Sequence, residues 1–126
     1  MVLMYTDQEQ TRTRLESFRY AFSGLWHALN SQKNFQIQII VGFLVLVVAY
    51  ILDFDRFEWL ILIMTIGLVL AAELLNTVIE VVVDLAVKEQ LLPEAKLAKD
   101  VAAAAVLLLA GAAVVVGILL FGPHIW

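Results

Sequence analysis

The chain has 126 residues, of which 63% are hydrophobic and 16% charged, with a formal net charge of −4. A soluble domain of this size buries only part of its surface, so this much apolar side chain needs a bilayer to cover it. The absence of cysteine excludes disulfides, thiolate metal sites and thiol nucleophiles, and an acidic balance without a dense Lys/Arg run excludes a nucleic-acid partner.

The N-terminus shows no basic stretch followed by an apolar core and a small-residue cleavage site, so no cleaved signal peptide is expected. Residues 1–126 read as a single membrane domain. Met1 to Thr6 carry no pattern. Across residues 7–30, Leu15, Phe18, Phe22, Leu25, Trp26 and Leu29 recur at spacings of three and four, with Arg12, Glu16, Arg19, Ser23 and His27 on the other face. That is the period of an amphipathic helix. With little else soluble to pack against, it is expected to lie in the membrane interface.

Residues 35–52 form the first apolar run, interrupted by Gln36 and Gln38 near its start. At about 1.5 Å per residue it nearly crosses a hydrocarbon core of roughly 30 Å. Asp53-Phe54-Asp55-Arg56 reads as a tight polar connection, and residues 57–87 as the second span, anchored at one interface by Trp59. Lys88 to Lys99 is polar and broken by Pro93. The third span is expected over 99–121, ended by Gly122-Pro123, and its Ala and Gly residues permit close helix packing. The expected fold is therefore an all-α membrane protein, an interfacial amphipathic helix followed by three transmembrane helices.

Arg12, Arg14, Arg19 and Lys33 precede the first span, and Lys88, Lys96 and Lys99 lie between the second and third. The first connection has only Arg56, and no Lys or Arg follows Phe121. The positive-inside tendency puts the N-terminus in the cytoplasm and the C-terminus outside.

The informative stretch is AAELLNTVIEVVVDL, residues 71–85. Glu73, Asn76, Glu80 and Asp84 fall within an arc of roughly 80° on one helix face, with Thr77 at its border. If the span starts near Phe57, about 20 residues cross the hydrocarbon. Glu73 then sits just inside the apolar zone and Asp84 among cytoplasmic headgroups. Ionisable groups within a span are costly and tend to be kept for function. The blander alternatives are a solvated interfacial charge for Asp84 and a structural hydrogen-bond network for the other three.

Phosphoryl transfer at headgroup depth needs hard oxygen ligands for Mg²⁺, a group to position or deprotonate the attacking hydroxyl, and positive charge for the phosphates. Glu80 and Asp84 suit the first need, Glu73 the second, and Lys96 and Lys99 the third. Neither a Walker loop nor a kinase catalytic-loop signature is present, so a nucleotide site must be built from helix ends. An ion or proton conduit is the competing class. The outer half of the second span offers only Glu58 as an ionisable continuation, which favours interfacial chemistry over transport.

At these residues the chain resembles the prokaryotic diacylglycerol kinase family of integral membrane lipid kinases. The resemblance rests on Glu73-x-x-Asn76-Thr77-x-x-Glu80-x-x-x-Asp84 and Ala98-Lys99-Asp100-x-x-x-Ala104-Ala105-Val106. Phe18-x-Tyr20-Ala21-x-x-Gly24 and the turn Leu52-Asp53-x-Asp55 also agree, so nearly the whole chain is covered in order. It implies a homotrimeric helical bundle in the bacterial cytoplasmic membrane, with active sites shared between chains. The implied reaction uses Mg²⁺ and transfers the ATP γ-phosphate to a lipid alcohol. By motif, Glu73 resembles the catalytic base, Asn76 its orienting neighbour and Glu80 a metal ligand. Tyr20, Lys99, Asp100, Asp84 and Glu89 resemble the nucleotide site, and Phe35 and Glu73 the substrate site. Arg12 and Arg14 flank the position of the family's nucleotide-contacting arginine, and Arg14 is carried forward for it.

The family's second metal ligand is a glutamate before the first span, in a pattern similar to Glu-x-Asn-Phe-Arg, whereas this chain has Gln32-Lys33-Asn34-Phe35-Gln36. Gln32 keeps a carbonyl oxygen and loses the charge that holds Mg²⁺. Gln36 and Gln38 also replace residues that are usually charged. A catalytically impaired scaffold on this fold is therefore the alternative to an active kinase. Asn34-Phe35, Lys96-x-x-Lys99-Asp100 and the Pro-x-Ile-Trp ending resemble the Gram-positive branch, whose members act on undecaprenol. The other branch makes phosphatidic acid from diacylglycerol, and undecaprenol is the favoured expectation.

Overall fold

Four helices follow one another in a computed structural model that describes residues 13–88 and 90–126. They are α1 (Arg14–Ser31), α2 (Lys33–Ile51), α3 (Arg56–Val87) and α4 (Pro93–Ile125). No strand occurs among the described residues. The last three are long and apolar enough to cross a membrane. Their large hydrophobic side chains are mostly exposed, which only a lipid environment tolerates. The chain is thus an all-helical membrane protein with an N-terminal helix and three spans. It divides between Gln36 and Ile37 into two compact units.

In the first unit, Thr13 caps α1, its Oγ1 accepting from the Glu16 N–H at 3.2 Å. Leu15, Phe18, Phe22, Leu25 and Trp26 are all exposed, the apolar face that the period predicts. At the far end Asn30 and Ser31 fold back onto the carbonyls of Trp26 and His27. A single extended residue, Gln32, separates α1 from α2. Gln36 Nε2 donates to the Leu29 carbonyl at 2.8 Å. That bond explains a polar side chain at the start of an apolar run, because a helix end leaves carbonyls in need of donors.

In the second unit, α2 ends in a Schellman motif. Asp53 is left-handed (φ 56°), its N–H donates to the Tyr50 carbonyl, and the Phe54 N–H donates to that of Ala49, both at 3.2 Å. The hydrophobic contact that usually closes this motif is present, since Phe54 and Ala49 are buried in one core with Leu62 and Leu120. Asp55 then opens α3 with a capping box, its Oδ1 accepting from the Glu58 N–H at 2.9 Å while Glu58 Oε1 accepts from the Asp55 N–H at 3.0 Å. The expected tight polar connection is thus a stop and a start built back to back.

α3 and α4 have 32 and 33 residues. At about 1.5 Å per residue each outreaches the hydrocarbon core by roughly three turns. Pro93 occupies the first turn of α4, where its missing N–H costs nothing. The helix therefore begins six residues before Lys99, the start expected for the third span. It also runs through Gly122-Pro123 to Ile125, at the loss of the one backbone hydrogen bond that Pro123 cannot donate. The Trp126 ring lies where a Cβ on Gly122 would stand, 2.6 Å away. A side chain at this position would displace the exposed Trp126 ring.

Candidate active site

The polar face of α3 forms a chain of contacts along its last four turns. Glu73 is buried, 6% exposed. Gln38 reaches it from α2, Nε2 donating to Glu73 Oε2 at 3.3 Å. Thr77 turns its hydroxyl inward along the helix and donates to the Glu73 carbonyl at 3.1 Å. One turn on, Asn76 Nδ2 donates to Glu80 Oε1 at 3.2 Å, while Asn76 Oδ1 is buried without a partner among the described residues. At the end of the stripe Asp84 Oδ1 accepts from Lys99 Nζ of α4 at 2.9 Å. Glu80 acts on the same ammonium group through space. Lys96 and Asp100 pair one turn apart along α4 at 2.5 Å.

One recess adjoins the end of this face, and a second is lined by Gln38. The first, of about 960 Å³, is open and charged, lined by Asp84, Lys88, Lys96, Lys99 and Asp100 where α3 gives way to α4. Lys88 closes α3 in the left-handed conformation (φ 47°). The other, of about 400 Å³, lies between α2, α3 and α4 with walls that are almost wholly apolar; Gln38 and Thr65 are its polar lining.

The tertiary structure brings Glu73, Asn76, Glu80, Asp84, Lys99 and Asp100 into one unit. Arg14, Tyr20, Gln32 and Phe35 belong to the other unit. Arg14 and Tyr20 are exposed, Gln32 is half-buried and Phe35 is buried. Arg12 and Glu89 lie outside the described residues. Asn76 meets Glu80, and the amide that meets Glu73 is that of Gln38. The sequence signal for Gln38 was its polarity inside an apolar run, but nothing there named its partner.

Among the described residues no cluster of three or more His, Cys, Asp or Glu side chains gathers to hold a metal. The stripe offers carboxylate oxygens, with the half-buried Glu80 carboxylate held by the Asn76 amide N–H. That donor type fits Mg²⁺, which takes one or two protein carboxylates and completes its shell with water and phosphate.

The family model described as prokaryotic diacylglycerol kinase matches residues 19–121. Over 103 residues, 82% of this chain, the sequence is 47% identical to a diacylglycerol kinase of Synechocystis sp.. That match spans 59% of the relative's own length. Over 110 residues, 87% of this chain and 89% of the relative, it is 36% identical to an undecaprenol kinase of Bacillus subtilis. The acidic face of α3 and the Lys99-Asp100 pair of α4 lie inside both the family match and the motifs that carry the resemblance. The chain belongs to the prokaryotic diacylglycerol kinase family.

Proposed function

We propose that this chain is an ATP- and Mg²⁺-dependent kinase that transfers the γ-phosphate to a membrane lipid alcohol, undecaprenol in preference to diacylglycerol. The observation that carries this reading is the Asp84–Lys99 contact at 2.9 Å. It sets a phosphate-binding cation of α4 beside the carboxylates of α3 at one end of two spanning helices.

Glu73 is the base. It is buried and bonded to Gln38, which lines an apolar recess of about 400 Å³ where a lipid's hydrocarbon can lie. Glu80 would hold Mg²⁺, which when bound supplies positive charge to the phosphates, and Gln32 stands in the sequence where the family pattern has its second metal ligand. Asp84, Lys99 and Asp100 on the charged recess form the nucleotide site, while Arg14, Tyr20 and Glu89 are assigned to nucleotide contact by the family resemblance alone. Three helices of one chain enclose the stripe poorly, so the working unit is a homotrimer with active sites shared between chains. It sits in the bacterial cytoplasmic membrane with the N-terminus inside and the C-terminus outside.

Undecaprenol is supported by the Asn34-Phe35 and Lys96-x-x-Lys99-Asp100 patterns and by the named activity of the Bacillus relative, 89% of which is matched. Diacylglycerol is the second reading, favoured by the higher identity, 47%, to the Synechocystis kinase. Supplying purified protein with Mg-ATP and each alcohol in mixed micelles decides between them. Faster phosphorylation of undecaprenol is expected. Phosphorylation of neither alcohol would overturn the kinase reading.

A further inference from the structure

Gln38 lies in an apolar span, yet its amide is turned inward rather than towards a helix end. Its Nε2 donates to Glu73 Oε2 at 3.3 Å, and its Oε1 is buried with no partner among the described residues. An unmet buried acceptor is destabilising, so this amide is not there for stability alone. Glu73 is 6% exposed and takes part in none of the ion pairs found among the described residues. The partner of the buried carboxyl is therefore a neutral group that can both donate and accept.

We propose that Gln38 is the positioning residue for Glu73 in both of its protonation states, an inference that rests on Glu73 being the base. Before reaction the amide N–H holds the carboxylate. In the transfer the acceptor alcohol's O–H bond breaks and the proton bonds to Glu73. The oxygen's electron pair forms the new bond to the γ-phosphorus, whose bond to the bridging oxygen of ADP breaks. Glu73 is then a carboxylic acid and a donor. Turning the Gln38 amide over presents Oε1 where Nε2 stood, and Oε1 accepts the acid's O–H. Because Oε1 held no partner beforehand, the turn breaks no other hydrogen bond made by that oxygen. A lysine at this position would hold only the ionised form, and a second carboxylate would oppose it.

The test is Gln38→Met, which keeps the side-chain length and removes the amide. In infrared difference spectra of the full-length protein in detergent, recorded between acidic and neutral pH, the C=O band of protonated Glu73 is identified by its loss in Glu73→Gln. That band is expected to move to higher wavenumber in Gln38→Met. In the lipid phosphorylation assay kcat is expected to fall about tenfold, the scale of one hydrogen bond, with the KM for ATP unchanged. An unmoved band overturns the proposal whether or not the protein turns over, and so does an unchanged kcat. A band that moves in a protein whose unaltered form phosphorylates neither alcohol overturns the kinase reading instead, and with it the source of the proton, while the amide contact stands.

Discussion

The Lys99 ammonium meets the Asp84 carboxylate at 2.9 Å across 15 residues of sequence, tying the end of α3 to the first turns of α4. Their side chains are 40% and 65% exposed. A pair so open to water contributes little to stability. Its worth lies in where it holds the cation.

Lys99→Met is accordingly expected to separate stability from function. Thermal unfolding in detergent should change little, while the KM for ATP should rise about tenfold or more through loss of a charge-assisted phosphate contact. Steady-state kinetics with ATP varied at saturating lipid make the measurement. An unchanged KM would remove Lys99 from the nucleotide site.

Glu73→Gln keeps the shape of the side chain and removes the base. Turnover should fall by about 10²–10⁴, the range of general base catalysis. Size-exclusion chromatography should show the same oligomer, because the substituted amide still fits beside Gln38. Retained turnover would take the base role from Glu73.

Gln32→Glu restores the charge that the family pattern has at this position. Mg²⁺ titration of the phosphorylation rate should then show half-saturation at a lower metal concentration, since hard divalent cations favour carboxylate over amide oxygen. If the unaltered chain is silent and Gln32→Glu turns over, the protein is a scaffold disabled at a single position.

His124 and Glu58 meet at 2.6 Å at the opposite end of α3, 24% and 22% exposed. The His124 ring also stacks on Phe54 with centroids 4.9 Å apart. His124→Ala removes both contacts and leaves Glu58 half-buried, which should destabilise the fold by about 1–2 kcal/mol. The 22 residues from Glu58 to Glu80 correspond to about 33 Å of helix. Activity per folded molecule should therefore not change, a comparison made by thermal unfolding and kinetics on the same preparation.

Much of the architecture is legible in the residues themselves. Spacings of three and four place Phe18, Phe22 and Trp26 on one face of α1, and all three are exposed. The same arithmetic puts Glu73, Asn76, Glu80 and Asp84 on one side of α3, because angle along a helix follows from sequence separation alone. The polar Asp53–Arg56 segment announced a turn, which the structure completes with the Asp55–Glu58 capping box. These are local properties, set by backbone geometry and the nearest side chains.

Partnership across helices is another matter. It depends on how far one helix is slid and rotated against the next, and that offset comes from the packing of Ala49, Phe54, Leu62 and Leu120. No spacing rule joins Gln38 to Glu73, 35 residues away, or Glu58 to His124, 66 residues away. Asp84 and Lys99 carried opposite charges in the sequence, but only the turn through Lys88 and Pro93 set them face to face. The sequence alone determined a membrane helix bearing a stripe of carboxylates. The tertiary structure decided which neutral amide and which ammonium that stripe would meet, because those contacts are fixed by packing rather than by period.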